Sequence, residues 1–238
     1  MKLFKGIGSL IFIYISLLMV YDIQFSTIFI CSYLLHEIFH IIVIYLLKFK
    51  IEEVYLIPFG GQIKMNGNKN HNPFYDVVIY LAGPLANLFL LINGLVLKSN
   101  MLKDINLILF SFNILPIMPL DGFYIFSNLL ALKIPYYYAL KITLIISLIL
   151  AFVLLCVAYL INFSLIILSI YMIIITINEL KNNYIYKGLL MEKISNINIG
   201  PNKEIKPTIK IKKIVYKGLN TYFSLGDDIY YDKNFFKK

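Results

Sequence analysis

Residues 31–47 read CSYLLHEIFHIIVIYLL, an apolar stretch that two histidines and a glutamate interrupt. It belongs to an apolar segment, 25–47, which is long enough for a helix to cross the ~30 Å hydrocarbon core of a bilayer. Ionisable side chains are costly at that depth, so residues of this kind inside a span usually serve a function. The stretch therefore predicts a transmembrane helix with a functional site inside it.

The composition of the whole chain is typical of a membrane protein. Of its 238 residues, 60% are hydrophobic and 15% are charged, whereas a soluble domain is about 25% charged. These values exclude a disordered protein and argue against an ordinary soluble domain. The sequence predicts an all-α polytopic membrane protein with about six transmembrane helices. The six apolar segments are 7–21, 25–47, 76–97, 104–118, 137–160 and 163–180.

The placement of lysine predicts the orientation of these spans. With six spans, all lysines except Lys98 and Lys103 fall on the side of the N-terminus, so both termini should face the cytoplasm. The first segment has no small-residue cleavage site after it, which favours a retained span over a signal peptide. We expect a core at 1–180 and a basic cytoplasmic tail at 181–238, whose charge suits the lipid bilayer and requires no nucleic acid.

The connection between the second and third segments predicts a short membrane-associated β-hairpin. Residues 51–65, IEEVYLIPFGGQIKM, place β-branched and aromatic residues on both sides of a Pro-Phe-Gly-Gly turn. Gly60 and Gly61 let another backbone approach closely, so an extended peptide could pair here as an added strand. An ordinary surface hairpin is the alternative.

The histidines at 36 and 40 form a candidate metal site. Residues four apart share a face of a helix, so His36 and His40 can direct imidazole nitrogens at one ion. Glu37 is about 100° around the helix from His36, within reach of a water on that ion. This HExxH arrangement is that of two zinc ligands and a general base. The alternative is a polar cluster that only holds helices together.

A catalytic zinc needs a third protein ligand, and Asp121 is the best candidate. It follows NILPIMPL at 113–120, where Pro116 and Pro119 break helical hydrogen bonding, and Gly122 permits a turn back toward the histidines. Asp121 could also cap a helix at 123–132, and the two roles are compatible. His71, in a polar loop, is expected to be solvated and is the next candidate ligand.

Four motifs together resemble the site-2 protease family of intramembrane zinc metalloproteases, peptidase family M50. They are HEIFH at 36–40, PFGGQIKM at 58–65, AGPLAN at 82–87 and NILPIMPLDG at 113–122, in the order of that family. The resemblance implies a site-2 protease-like core and one Zn²⁺ per chain, held by His36, His40 and Asp121, with Glu37 as the base. It also implies a supporting role near the active site for Asn113 and Pro116. From the residues alone, AGPLAN predicts close helix packing, with Asn87 free to hydrogen-bond across helices.

The compact plan, without room for a PDZ insertion or a paired CBS module, looks most like the stage IV sporulation protein FB group. That resemblance implies a membrane-tethered protein substrate, a pro-sigma factor, and membrane regulatory partners in a mother-cell or forespore membrane. A site-2 protease with a non-sporulation substrate is the alternative within the family. Outside it, the same ligands could serve a metal-ion carrier or belong to an inactive scaffold. Glu37 favours hydrolysis, because a carrier needs no base beside its ligands.

Overall fold

The computed structural model describes the backbone of residues 4–5, 7–57, 60–66, 73–134, 136–161, 163–195, 212–214, 222–225 and 228–231. Seven helices lie in these ranges. They are α1 (Ile7–Val20), α2 (Ile23–Leu46), α3 (Pro73–Val96), α4 (Asn100–Asn113), α5 (Asp121–Ala131), α6 (Tyr136–Ile161) and α7 (Phe163–Ser195).

Local sequence explains where several helices begin and end. The Asp22 carboxylate accepts a hydrogen bond from the Phe25 backbone N–H at 2.8 Å and so caps α2. The Ser99 hydroxyl caps α4 in the same way. Helix α4 ends at Asn113 rather than at the predicted 118, because two prolines follow within the next six residues. Helix α7 continues to Ser195, well past the predicted end of its apolar segment at 180.

Four helices in the described part of the chain are long and apolar enough to cross a membrane. They span Ile23–Leu46, Pro73–Val96, Tyr138–Leu160 and Leu165–Asn182. Helices α1 and α4 have 14 residues each, about 21 Å at 1.5 Å per residue, which is shorter than a hydrocarbon core of ~30 Å. The count of six spans therefore stays a prediction.

Two small sheets accompany the helices in the described part of the chain. Strands β1 (Phe4–Lys5), β2 (Lys50–Ile57) and β3 (Gly60–Asn66) form the first, with β2 in the middle. β1 is parallel to β2, whereas β2 and β3 are antiparallel, with Leu56 opposite Gly61 and Ile57 opposite Gly60. Pro58 and Phe59 lie outside the described residues. The second sheet has the order β4 (Lys212–Ile214), β5 (Tyr222–Leu225), β6 (Asp228–Tyr231) and is antiparallel.

The backbone divides into two compact units. The first comprises Met1–Asn68 and Tyr75–Phe126, and the second Lys69–Phe74 and Ser127–Lys238. In the second unit α6 packs against α7, where the Ser147 and Thr176 hydroxyls hydrogen-bond at 3.1 Å. The expected division into a core at 1–180 and a tail at 181–238 separates membrane spans from a basic tail rather than units of backbone contact, and it stays a prediction.

Within the first unit, close helix packing brings α2, α3 and α4 together. α2 contacts α4, and a Cβ placed on Gly94 of α3 would lie 2.6 Å from the Lys103 backbone nitrogen of α4. Only glycine allows two helix backbones to approach so closely. These three helices surround the buried polar residues described next.

Candidate metal centre

Helix α2 presents three buried polar side chains on a single turn. His36, Glu37 and His40 are only 4%, 5% and 5% exposed, although the helix otherwise has an apolar sequence. The two imidazole rings are edge to face, with centroids 4.9 Å apart. Their Nε2 atoms lie 3.2 Å from each other, as the spacing of four residues predicts.

A glycine of α3 makes room for these imidazoles. A Cβ built on Gly83 would lie 2.5 Å from His36 Nε2 and closer still to His40 Nε2. Real Cβ atoms do not approach a nitrogen so closely, so any larger residue at 83 would displace the ligand atoms. The AGPLAN motif thus contributes close packing, as predicted, and this packing is against the histidines themselves.

The turn after α4 carries Asp121 to the same place. Gly122 packs against the backbone of Ile114 and Leu115, where an added Cβ would overlap main-chain atoms. One turn into α5, the Tyr124 ring stacks on the Tyr80 ring of α3 with centroids 4.5 Å apart and an interplanar angle of 12°. These contacts fix the first turn of α5, of which Asp121 is the first residue.

Three potential ligand atoms converge in this arrangement. The Asp121 Oδ2 atom lies 3.0 Å from His36 Nε2 and 3.3 Å from His40 Nε2. With the 3.2 Å between the two nitrogens, they form a nearly equilateral triangle. Ligand atoms about 2.0 Å from a tetrahedral zinc are about 3.3 Å apart. The triangle therefore has the size that one face of such a coordination sphere requires.

Hydrogen bonds on the far sides of the rings set the direction in which each imidazole points. His40 Nδ1 lies 2.7 Å from the Ile79 carbonyl, which can only accept, so Nδ1 carries the hydrogen. His36 Nδ1 lies 2.6 Å from Asn87 Oδ1 and donates to it. In the neutral rings, both Nε2 atoms then present lone pairs to Asp121. Metal-bound histidines make this type of outer hydrogen bond.

The cluster fits a divalent metal by its chemistry. Two nitrogen lone pairs and a carboxylate oxygen face one another out of contact with solvent, and Asp121 Oδ2 accepts no hydrogen bond from the residues that the structure describes. Three acceptors at this distance repel one another unless a cation lies among them. His36, His40 and Asp121 could therefore hold a metal ion.

The other predicted site residues are found at different places. Asn113 is the last residue of α4, and its amide donates to the Leu109 carbonyl of the same helix at 3.0 Å. Pro116 lies in the turn before α5, and Gly60 and Gly61 begin β3. Their supporting roles stay predictions. His71 lies outside the described residues.

The sequence interpretation missed other parts of the site. Tyr33, one helical turn before Glu37, hydrogen-bonds to the Glu37 carboxylate. Asn106 of α4 is fully buried and contacts both Asn87 and Ser32. An asparagine within an apolar segment signals a hydrogen bond between helices, but its spacing in the sequence does not reveal the partner.

Comparisons with known proteins agree with the resemblance derived from the motifs. A family model for peptidase family M50 matches residues 24–101, which include the candidate ligands His36 and His40, as well as Glu37 and Asn87, but not Asp121. Stage IV sporulation protein FB of Bacillus subtilis (strain 168) is 26% identical over 196 residues, covering 77% of this chain and 68% of that protein.

A solved structure also matches. The site-2 protease from Methanocaldococcus jannaschii is similar with a TM-score of 0.55 and 24% identity, over 87% of this chain and 99% of that one. At this identity the match shows a shared fold. With the four apolar helices, these findings identify the chain as an integral membrane protein.

Proposed function

We propose that this chain is an intramembrane zinc metalloprotease of peptidase family M50, which its similarity to stage IV sporulation protein FB supports. It would hydrolyse a peptide bond of a membrane-associated protein at or near the cytoplasmic face. The observation that carries the proposal is the buried triangle of His36, His40 and Asp121, with sides of 3.0–3.3 Å and Glu37 beside it in the sequence. A polar cluster that only holds helices together needs no carboxylate base beside the three potential ligand atoms.

Each residue of the site has a defined task in this reaction. Zinc, when bound, supplies a Lewis acid that polarises the scissile carbonyl and makes water a better nucleophile. Glu37 accepts a proton from the attacking water and returns it to the leaving amine. The hydrogen bonds from His36 to Asn87 and from His40 to Ile79 hold the imidazoles in place throughout. Tyr33, hydrogen-bonded to Glu37, orients the carboxylate of the base.

The substrate must be extended when it is cleaved, and the first sheet offers a place for it. β3 begins at Gly60 and Gly61 and pairs with β2 on one side, and on its other side it has no neighbour among the strands that the structure describes. An open strand edge accepts an extended peptide through main-chain hydrogen bonds. The substrate we propose is a membrane-tethered protein such as a pro-sigma factor, which rests on the resemblance to the sporulation protein.

Replacing Glu37 by glutamine tests the function. Glu37→Gln preserves side-chain size but removes the base, so zinc content should stay near that of the wild type. Cleavage of a co-expressed membrane-tethered transcription factor should fall at least ~10²–10⁴-fold. Glu179→Gln makes the same chemical change in α7, outside the metal cluster, and should cleave normally.

The possible results separate the candidate functions. Zinc retained with cleavage lost in Glu37→Gln alone supports the protease. Cleavage at the wild-type rate in Glu37→Gln would refute the mechanism. Zinc loss in the same variant would make Glu37 a ligand and overturn its role as base. A metal carrier would instead keep its metal flux in Glu37→Gln, since the three ligands are intact.

A further inference from the structure

A chain of buried amides connects three helices and ends at His36. Asn87 Oδ1 lies 2.6 Å from His36 Nδ1, and Asn87 Nδ2 donates to Asn106 Oδ1 at 3.0 Å. Asn106 Nδ2 in turn donates to the Leu102 carbonyl at 2.9 Å and to the Ser32 hydroxyl at 3.0 Å. Asn87 and Asn106 are both fully buried, so solvent does not replace these bonds.

The chain has a fixed direction, which its anchor at Leu102 determines. A backbone carbonyl can only accept, so Asn106 must direct its NH₂ group at Leu102 and its oxygen at Asn87. Asn87 must then direct its own NH₂ group at Asn106, which leaves its oxygen facing His36. Reversing either amide would bring two donors or two acceptors together in a buried place, which costs free energy.

This direction matters because an amide can present either end to a histidine. If Asn87 presented its NH₂ group, His36 would have to accept at Nδ1 and carry its hydrogen on Nε2. A protonated Nε2 cannot bind a metal. Asn87 alone does not decide between the two orientations, whereas the contact with Asn106 does.

We propose that Asn106 is a positioning residue of the metal centre. By fixing the orientation of the Asn87 amide, it keeps the hydrogen of His36 on Nδ1 and the lone pair of Nε2 directed at the metal. Asn106 hydrogen-bonds to Asn87, Ser32 and the Leu102 carbonyl, so its connection to His36 runs through Asn87. The inference rests on the proposed metal site, and metal affinity tests it without reference to cleavage.

The direct test is the affinity of Asn106→Leu for metal. Leucine has a similar size but cannot orient Asn87, so Zn²⁺ affinity should fall about tenfold, the lower end for loss of an outer hydrogen-bonding partner. The full-length protein in detergent is titrated with Zn²⁺ against a chelator, and with Co²⁺ to record its visible spectrum. Because His36 coordination is weakened, the Co²⁺ spectrum should change from that of the wild type.

A matched control separates this effect from a general loss of stability. Ser147→Ala removes another fully buried hydrogen bond between helices, that of Ser147 with Thr176 in the second unit. It should lower the thermal midpoint as Asn106→Leu does, but it should leave Zn²⁺ affinity and the Co²⁺ spectrum unchanged.

A second substitution tests whether Asn106 acts through Asn87. In Asn87→Asp, both side-chain oxygens are acceptors, so His36 must donate from Nδ1 whatever stands at 106. Adding Asn106→Leu to this variant should then change Zn²⁺ affinity less than about threefold, against the tenfold loss in the wild-type background. A purely structural role for Asn106 would give the same loss in both backgrounds.

Each outcome decides the inference. The inference is supported if Asn106→Leu lowers Zn²⁺ affinity in the wild-type background but not in the Asn87→Asp background. It is overturned if Asn106→Leu lowers the affinity equally in both backgrounds, or if it does not lower the affinity in the wild-type background. If Asn106→Leu does not accumulate in membranes, Asn106→Ser, which is too short to bridge Asn87 and Leu102, is measured with the same expectations. Absence of Zn²⁺ binding in the wild-type protein would instead contradict the proposed function itself.

Discussion

Replacing Gly83 by alanine should strongly lower the metal affinity of the candidate centre, although the substitution adds only one methyl group. The added Cβ would lie 2.5 Å from His36 Nε2, whereas ordinary contacts begin near 3.4 Å. Either the imidazoles or helix α3 must therefore move by about 1 Å. A metal site tolerates ligand displacements of only ~0.2 Å, so the change is far outside its range.

The size of the effect follows from the hydrogen bonds that α3 supplies. A movement of α3 by about 1 Å would lengthen the bonds of His36 to Asn87 and of His40 to Ile79, now 2.6 and 2.7 Å, beyond hydrogen-bonding distance. Loss of one such partner usually lowers metal affinity 10- to 100-fold. Loss of both should lower it about 10²- to 10⁴-fold.

The assay is chelator competition for Zn²⁺ on purified Gly83→Ala. Gly94→Ala is the control, because its Cβ would crowd the Lys103 backbone of α4 instead of the histidines. Gly94→Ala should lower the thermal midpoint, and it should reduce Zn²⁺ affinity by no more than the about tenfold expected for loss of the Asn87–Asn106 contact between α3 and α4. Wild-type Zn²⁺ affinity in Gly83→Ala would refute the reasoning, because it would mean that the ligand atoms do not lie against this glycine.

Two further predictions concern the turn before α5 and the membrane topology. Gly122→Ala should shift the first turn of α5, because its Cβ would overlap the Ile114 carbonyl. Asp121 moves with this turn, so Zn²⁺ affinity should fall about tenfold or more. An affinity equal to that of the wild type would contradict this prediction, because it would show that the turn adapts without moving Asp121. Reporter fusions test the six-span orientation, and a cytoplasmic signal at any site expected outside, or the reverse, would contradict it. The fusions expected to be cytoplasmic follow Lys69, Lys133 and Lys238, and those expected outside follow Asp22, Asn100 and Asn162.

The approach of the two candidate ligand histidines could be predicted from the sequence because their relation is local. A spacing of four residues puts His36 and His40 on one face of any helix. The apolar segment around them places these ionisable side chains at membrane depth, where burying them costs free energy. Asp121 is 81 positions after His40, and no regular spacing connects the two, so its role was predicted from the prolines and glycine around it and from the motif resemblance. In the structure its place follows from Gly122 and from the stacking of Tyr124, which are tertiary contacts.

The amide chain could not be predicted for the same reason. Asn87 is 51 residues from His36, and Asn106 is 74 residues from Ser32. An apolar segment indicates that a helix is embedded in the membrane, but in lipid the hydrophobic effect does not select which helices become neighbours. The apolar segments predicted the helices well. The ends of two helices differ from the ends of the predicted segments. Helix α4 ends early because prolines follow it, and helix α7 continues past the end of its apolar segment.

The charge of the site explains why its outer partners are amides and carbonyls. A divalent metal would be offset by the carboxylates of Asp121 and Glu37, while neutral imidazoles from His36 and His40 add nothing. A carboxylate in place of Asn87 or of the Ile79 carbonyl would leave a net negative charge among buried helices, where desolvation is costly. Neutral acceptors can fix the histidines without that cost. An amide, however, can also turn its NH₂ group toward the histidine, whereas both ends of a carboxylate are acceptors. A neutral amide partner therefore requires a second residue that fixes its orientation, and Asn106 is that residue for Asn87.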